Sequence, residues 1–143
     1  MTAQRILDAK GKGAVHIASD ATIADFLNSL ESQNADALVV SDDGSSVDGI
    51  ISEHDVVRGL RVFGSDVLLK LVRDLMTAKV ITCTPSDRVE AIVAIMVSKH
   101  VRHLPVVANN KLVGIVSIRD LLRLHLETVS AEAEAMRGYI QDH

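Results

Sequence analysis

Apolar and polar positions in this chain run through the same order twice. An alternating stretch, Val15-His16-Ile17-Ala18, breaks at the polar Ser19-Asp20, and a second, Ile81-Thr82-Cys83, breaks at Thr84-Pro85-Ser86. Period-two alternation ending in turn residues predicts a short strand in each place. Next come Ile23, Phe26, Leu27 and Leu30, matched by Val89, Ile92, Val93 and Met96. Their helical spacing puts each set on one face of a helix. Asp20 or Thr22 is placed to cap the first helix, and Ser86 or Asp87 the second. Strands are then predicted at residues 37–40 and 103–106. Polar turns at Asp42-Asp43-Gly44-Ser45-Ser46 and Asn109-Asn110-Lys111 join each to a further antiparallel strand.

That further strand carries the strongest signal. Gly49-Ile50-Ile51-Ser52-Glu53-His54-Asp55-Val56-Val57-Arg58 returns sixty-five residues later as Gly114-Ile115-Val116-Ser117-Ile118-Arg119-Asp120-Leu121-Leu122-Arg123. Each passage runs from a β-branched strand through Ser-x-x-Asp into a helical pattern. The unit is therefore β-α-β-β-α, present twice, and duplication at this period marks a repeated supersecondary structure. Between the copies, Phe63-Gly64-Ser65-Asp66 reads as a loop and residues 68–76 as a helical lead-in. Beyond the second copy, Leu122, Leu126, Val129, Ala133, Met136 and Ile140 recur close to heptad spacing, with Glu127, Glu132, Glu134 and Arg137 on the other faces. Such a stripe serves either as a seam for self-association or as the inner face of an ordinary amphipathic helix.

Composition narrows the class. Of 143 residues, 48% are hydrophobic but only 2% aromatic, so the core is aliphatic, which suits an α/β fold with buried strands. A net charge of -4 argues against non-specific grip on nucleic acid or anionic membrane. No apolar run approaches the ~18 residues of a spanning helix, and no signal-peptide pattern opens the chain. The lone Cys83 excludes an internal disulfide and sits in an apolar strand pattern, as a small buried hydrophobe does. A soluble, cytoplasmic protein is expected. No P-loop, catalytic triad or metal-ligand constellation is visible, so no enzyme is expected either. His100 and His103 are spaced for a metal on a helix, but His103 opens a strand and nothing completes the site.

The paired Gly-h-h-Ser-x-x-Asp passages (h, hydrophobic) resemble a cystathionine-β-synthase (CBS) domain pair, or Bateman module. Arg102-His103-Leu104-Pro105-Val106-Val107 upstream of the second passage, and Leu75-Met76-Thr77 ahead of the second copy, carry the same resemblance. It covers residues 11–129, as one motif over 11–67 and another over 73–129. The C-terminal helical extension, 130–143, resembles that of small stand-alone bacterial members. The resemblance implies tandem repeats related by a pseudo-two-fold axis, with a long C-terminal helix. It also implies clefts between the two motifs that bind adenosine-containing ligands (AMP, ADP, ATP, S-adenosylmethionine, sometimes NAD), no catalytic cofactor, a homodimer, and regulation of a separate, unidentified protein.

The residue types suit such a ligand. A carboxylate accepts charge-assisted hydrogen bonds from both vicinal ribose hydroxyls, a role for Asp55 and Asp120. Ser52 and Ser117 stand at helix starts, where free N–H groups favour phosphate. The same Ser-x-x-Asp spacing also makes a capping box that satisfies only its own helix. The copies differ where Asp36 aligns with Arg102, since a guanidinium attracts phosphate and a carboxylate repels it; Arg102 equally suits a surface ion pair. Copy one departs from the usual family pattern both at Asp36 and at His54. The favoured cleft is therefore assigned to Thr82, Cys83, Arg102, His103, Leu104, Pro105, Ser117, Arg119 and Asp120. The weaker cleft is assigned to His16, Ile17, Ala37, Ser52, His54 and Asp55. A dinucleotide would reach further, towards Lys10, Gly11, Lys12 and Gly13.

Overall fold

The computed structural model describes residues 1–11 and 16–142, with side chains to residue 140. Val15, Lys12 and Gly13 lie outside the described residues. Copy one comprises β1 (His16–Ile17), α2 (Ile23–Gln33), β2 (Ala37–Val40), β3 (Gly49–Ser52) and α3 (Glu53–Phe63). β1 runs parallel to β2, and β2 antiparallel to β3 with Ala37 opposite Ser52. Copy two comprises α5 (Val89–Lys99), β4 (His103–Ala108), β5 (Lys111–Ser117) and α6 (Ile118–Asp142). The β4–β5 hairpin turns on Asn109 and Asn110, both at positive φ, as a two-residue turn between twisted strands requires.

The strand expected at 81–83 contracts to a single parallel bridge between Cys83 and Val106. The Cys83 N–H donates to the Pro105 carbonyl at 2.9 Å, and the Val107 N–H to the Cys83 carbonyl at 2.8 Å. The next rung is missing because Pro105, standing where copy one has Val39, has no N–H for the Ile81 carbonyl.

Helix ends also differ between the copies. Thr22 caps α2, accepting from the Asp25 N–H at 3.1 Å. Its counterpart at α5 is Arg88, whose side chain makes no cap. Neither Ser86 nor Asp87 does the job: Asp87 accepts from the Thr84 N–H, and the Val89 N–H donates to the Met1 carbonyl. On α5 only Ile92 and Met96 of the expected stripe are buried, while Val93 is 40% exposed. The loop expected at 63–66 is helical instead. Phe63 ends α3, Gly64–Leu69 form a 3-10 helix with Val67 buried, and the lead-in is helical only over α4 (Val72–Leu75).

Two apolar clusters, aliphatic apart from Phe26, Met96 and Cys83, form the core, and they do not follow chain order. Ile23, Phe26, Leu38 and Ile51 of copy one pack with Val72 from α4. Ile92, Leu104, Val116 and Leu121 of copy two pack with Ala3 and Ile6 from α1 (Ala3–Lys10). Each copy is thus completed by the short helix that precedes the other in sequence. Antiparallel bridges fix the exchange, Thr2 with Arg88 and Thr22 with Leu71. Equivalent glycines seat the exchanged helices: a Cβ on Gly114 would meet Leu7 of α1, and one on Gly49 would meet Met76, just after α4.

α6 carries Leu121 and Leu124 into the core. Its other apolar stripe points away, with Leu122, Leu126, Val129, Met136 and Ile140 between 47% and 68% exposed. The stripe is therefore not the inner face of a helix lying on its own domain. None of the described helices is long and apolar enough to cross a membrane.

Candidate functional site

Both Ser-x-x-Asp passages bend from strand into helix. At α6 the Ser117 N–H donates to Asp120 Oδ2 at 3.0 Å, and the Asp120 N–H donates to Ser117 Oγ at 3.1 Å. At α3 the Ser52 N–H donates to Asp55 Oδ2 at 2.9 Å, with the Ser52 hydroxyl donating to the same oxygen at 3.3 Å. These are capping contacts, and they hold each carboxylate at a helix start where the dipole favours it. Each carboxylate also has a cation. Arg58, one turn further along α3, donates to Asp55 Oδ1. Asp120 Oδ2 accepts from Lys10 Nζ at 3.0 Å, and the same ammonium donates to the Ile115 carbonyl at 2.9 Å.

The two helix starts open on separate clefts, and the residues sort differently from expectation. Ser52, His54 and Asp55 share a cleft of about 690 Å³ with Arg58, Thr77, His100, Arg102 and His103. Ser117, Arg119 and Asp120 line a smaller one of about 180 Å³ with Lys10, Asp36, Ala37, Arg123 and His103. Arg102 therefore does not stand with Asp120; it faces Asp55. Ala37, assigned with Asp55, faces Asp120. The strand-start residues are traded between copies because β2 and β4 open side by side, so each cleft joins one copy's helix start to the other's strand start. Thr82, Cys83, Leu104 and Pro105, and likewise His16 and Ile17, line neither cleft. Leu104 and Cys83 are instead core, and burial, together with the Asp87 charge, pushes the Cys83 thiol up to about 11.

A charge relay separates the clefts. Asp36 lines both, with His103 Nε2 at 3.0 Å from its Oδ1 and Arg119 Nη2 at 4.0 Å from its Oδ2. Partial burial raises the Asp36 carboxyl, but the His103 hydrogen bond and charge, with Arg119, outweigh this and hold it below the ordinary carboxylate value. The carboxylate expected to repel phosphate is instead engaged by His103 and approached by Arg119. Arg58 and His100 were not foreseen as cleft residues, and Lys10, expected only at the far end of a dinucleotide, stands on the Asp120 carboxylate itself. Arg58 alone had a local signal, since three residues after Asp55 is one turn along the same helix face. His100 and His103 meet in the larger cleft, and no group of three or more metal-binding side chains forms among the described residues.

This architecture is that of a known domain class. The family model for the CBS domain matches residues 11–62 and 72–127, so the chain belongs to the CBS domain family and carries two CBS repeats. A mitochondrial CBS domain-containing protein of Arabidopsis thaliana is 32% identical over 148 residues, spanning 98% of this chain and 72% of that protein. The crystal structure of a CBS-domain containing protein from Agrobacterium tumefaciens superposes with a TM-score of 0.82 at 32% identity, over 87% of this chain and 99% of that one. The CBS domain pair of protein MJ0100, solved in complex with 5'-methylthioadenosine and S-adenosyl-L-methionine, superposes with a TM-score of 0.79 at 25% identity, over 90% of this chain and 98% of that one.

Proposed function

We propose that this chain is a non-catalytic regulatory module that binds an adenosine-containing ligand and passes its occupancy to a separate protein. The carrying observation is the larger cleft, where Ser52 and Asp55 of copy one face Arg102 and His103 of copy two across about 690 Å³. That volume is in the range of small-molecule sites, about 300–1,000 Å³, whereas 180 Å³ is below it. Asp55 accepts the ribose hydroxyls. Arg102 supplies bidentate donors to phosphate, and Arg58, 61% exposed, swings from Asp55 to join it. The favoured cleft thus moves from Asp120 to Asp55, because the guanidinium that motivated the choice stands there. AMP, ADP and ATP fit this chemistry, with NAD or S-adenosylmethionine as alternatives. The ligands named for the MJ0100 pair support the adenosine class.

Calorimetry with AMP and with adenosine tests the assignment. Replacing Arg102→Ala weakens AMP by roughly 10- to 100-fold, the value of a charge-assisted bond, and leaves adenosine binding unchanged. Equal losses for both ligands, or none, would show that Arg102 is not the phosphate contact.

A second reading, an association module, is favoured by the outward stripe of α6 together with Val93 and Val97 on α5, 40% and 66% exposed. On this reading two copies pair through α6. Truncation after Glu127 converts the dimer to a monomer by light scattering; an unchanged mass removes the stripe from the interface.

A further inference from the structure

The two clefts differ in volume, about 180 against about 690 Å³, and one lysine side chain stands inside the smaller. α4 stops at Leu75, but α1, which takes the same place in copy two, runs on to Lys10. That extra length brings the ammonium into the smaller cleft, against Asp120 and the Ile115 carbonyl. Both carboxylates are largely buried, Asp120 at 11% and Asp55 at 5% exposed, so the contrast lies in the cations: Lys10 is 33% exposed and Arg58 61%. α1 cannot drift away, because Ala3 and Ile6 are in the copy-two core and Leu7 rests on Gly114. In copy one the cation on the equivalent carboxylate is Arg58, which belongs to the same helix and lies mostly in solvent. It can swing aside without moving any backbone, and no lysine from the α4 side lines that cleft.

We infer that Lys10 is an autoinhibitory contact: it occupies the Asp120 carboxylate in place of ribose hydroxyls and keeps the second cleft narrow. The clefts then fill in order, Asp55 first, and filling the second requires Lys10 to leave both acceptors. A ligand that must wait for a minor open state binds more weakly by the fraction of molecules in that state. The inference rests on the adenosine reading of the clefts.

Calorimetric titration of the full chain with AMP tests it, comparing wild type, Lys10→Ala and Lys10→Met. Lys10→Ala tightens the weaker of two binding events by roughly tenfold and leaves the stronger unchanged. Adding Asp120→Asn removes the gain, which places it in the smaller cleft. Lys10→Met keeps the side-chain stem and loses the ammonium; it tightens the same event and serves if the alanine variant melts early. Isotherms identical to wild type in both variants overturn the inference while leaving the adenosine reading intact. No binding by any of the three chains overturns the adenosine reading, and the role of Lys10 falls with it.

Discussion

The two Ser-x-x-Asp helix starts are nearly the same in sequence and unlike in surroundings. Asp55 finds its cation one turn along its own helix and opens on a wide cleft facing Arg102. Asp120 finds its cation in a helix from the other end of the chain, and its cleft is about a quarter of the size. Duplication preserved the capping geometry, which depends on residues three apart. It did not preserve what faces each cap, which depends on the exchanged helices. Local motifs in a repeat are therefore equivalent as structure before they are equivalent as sites.

The largest effect that would break this comparison lies at the paired glycines. A Cβ on Gly49 would sit 2.7 Å from the Thr77 carbonyl, which is pinned by the Ile50 N–H, so the backbone itself must move. A Cβ on Gly114 would meet only the flexible end of Leu7, at 2.5 Å. Gly49→Ala should cost about 2–3 kcal/mol and Gly114→Ala less than about 1 kcal/mol in urea unfolding. Equal costs would mean the exchanged helices are seated alike.

Double-mutant cycles sharpen the electrostatic half. Each Asp→Asn change at a helix start should cost about 1 kcal/mol through the cap. The coupling between Lys10→Met and Asp120→Asn should reach about 1 kcal/mol, and that between Arg58→Met and Asp55→Asn about 0.5 kcal/mol or less, since Arg58 is mostly exposed. Reversed magnitudes would make Arg58, not Lys10, the tighter clamp.

The smallest effect is pH. Asp36 titrates below its ordinary 3.8 in the folded chain, so its contribution is complete above that value and drains away as pH falls through the lower folded one. Melting temperature should therefore decline on acidification below about pH 4, less steeply in Asp36→Asn. A residual slope is expected from Asp42 and Asp43, both held low by hydrogen bonds, chiefly from the Ser19 N–H for Asp42 and the Ser46 and Ser45 N–H groups for Asp43. An unchanged slope would mean the Asp36–His103 bridge adds nothing to stability.

Much of the fold was legible from residue order. The helices at 23–33 and 89–99, the Asn109-Asn110 turn and the strand-to-helix bends all follow from periodicity and turn chemistry, which act over a few residues. The contraction at Cys83 was also written in the sequence, because a proline opposite it cannot donate. The sites were less legible. Placing Arg102 with Asp120 drew both sides of a cleft between the motifs from one copy, and nothing within either copy says otherwise. Lys10, far from Asp120 in sequence, had no spacing that could connect them.

By itself, the sequence determined the repeat unit, the aliphatic core positions and the two capped carboxylates, because periodicity and hydrogen-bond reach are local properties. Only the tertiary structure decided which strand start faces which helix start, that α1 completes copy two, and that an ammonium fills one cleft. Those depend on how the two copies pack against each other, where burial and charge join residues that share no neighbourhood along the chain.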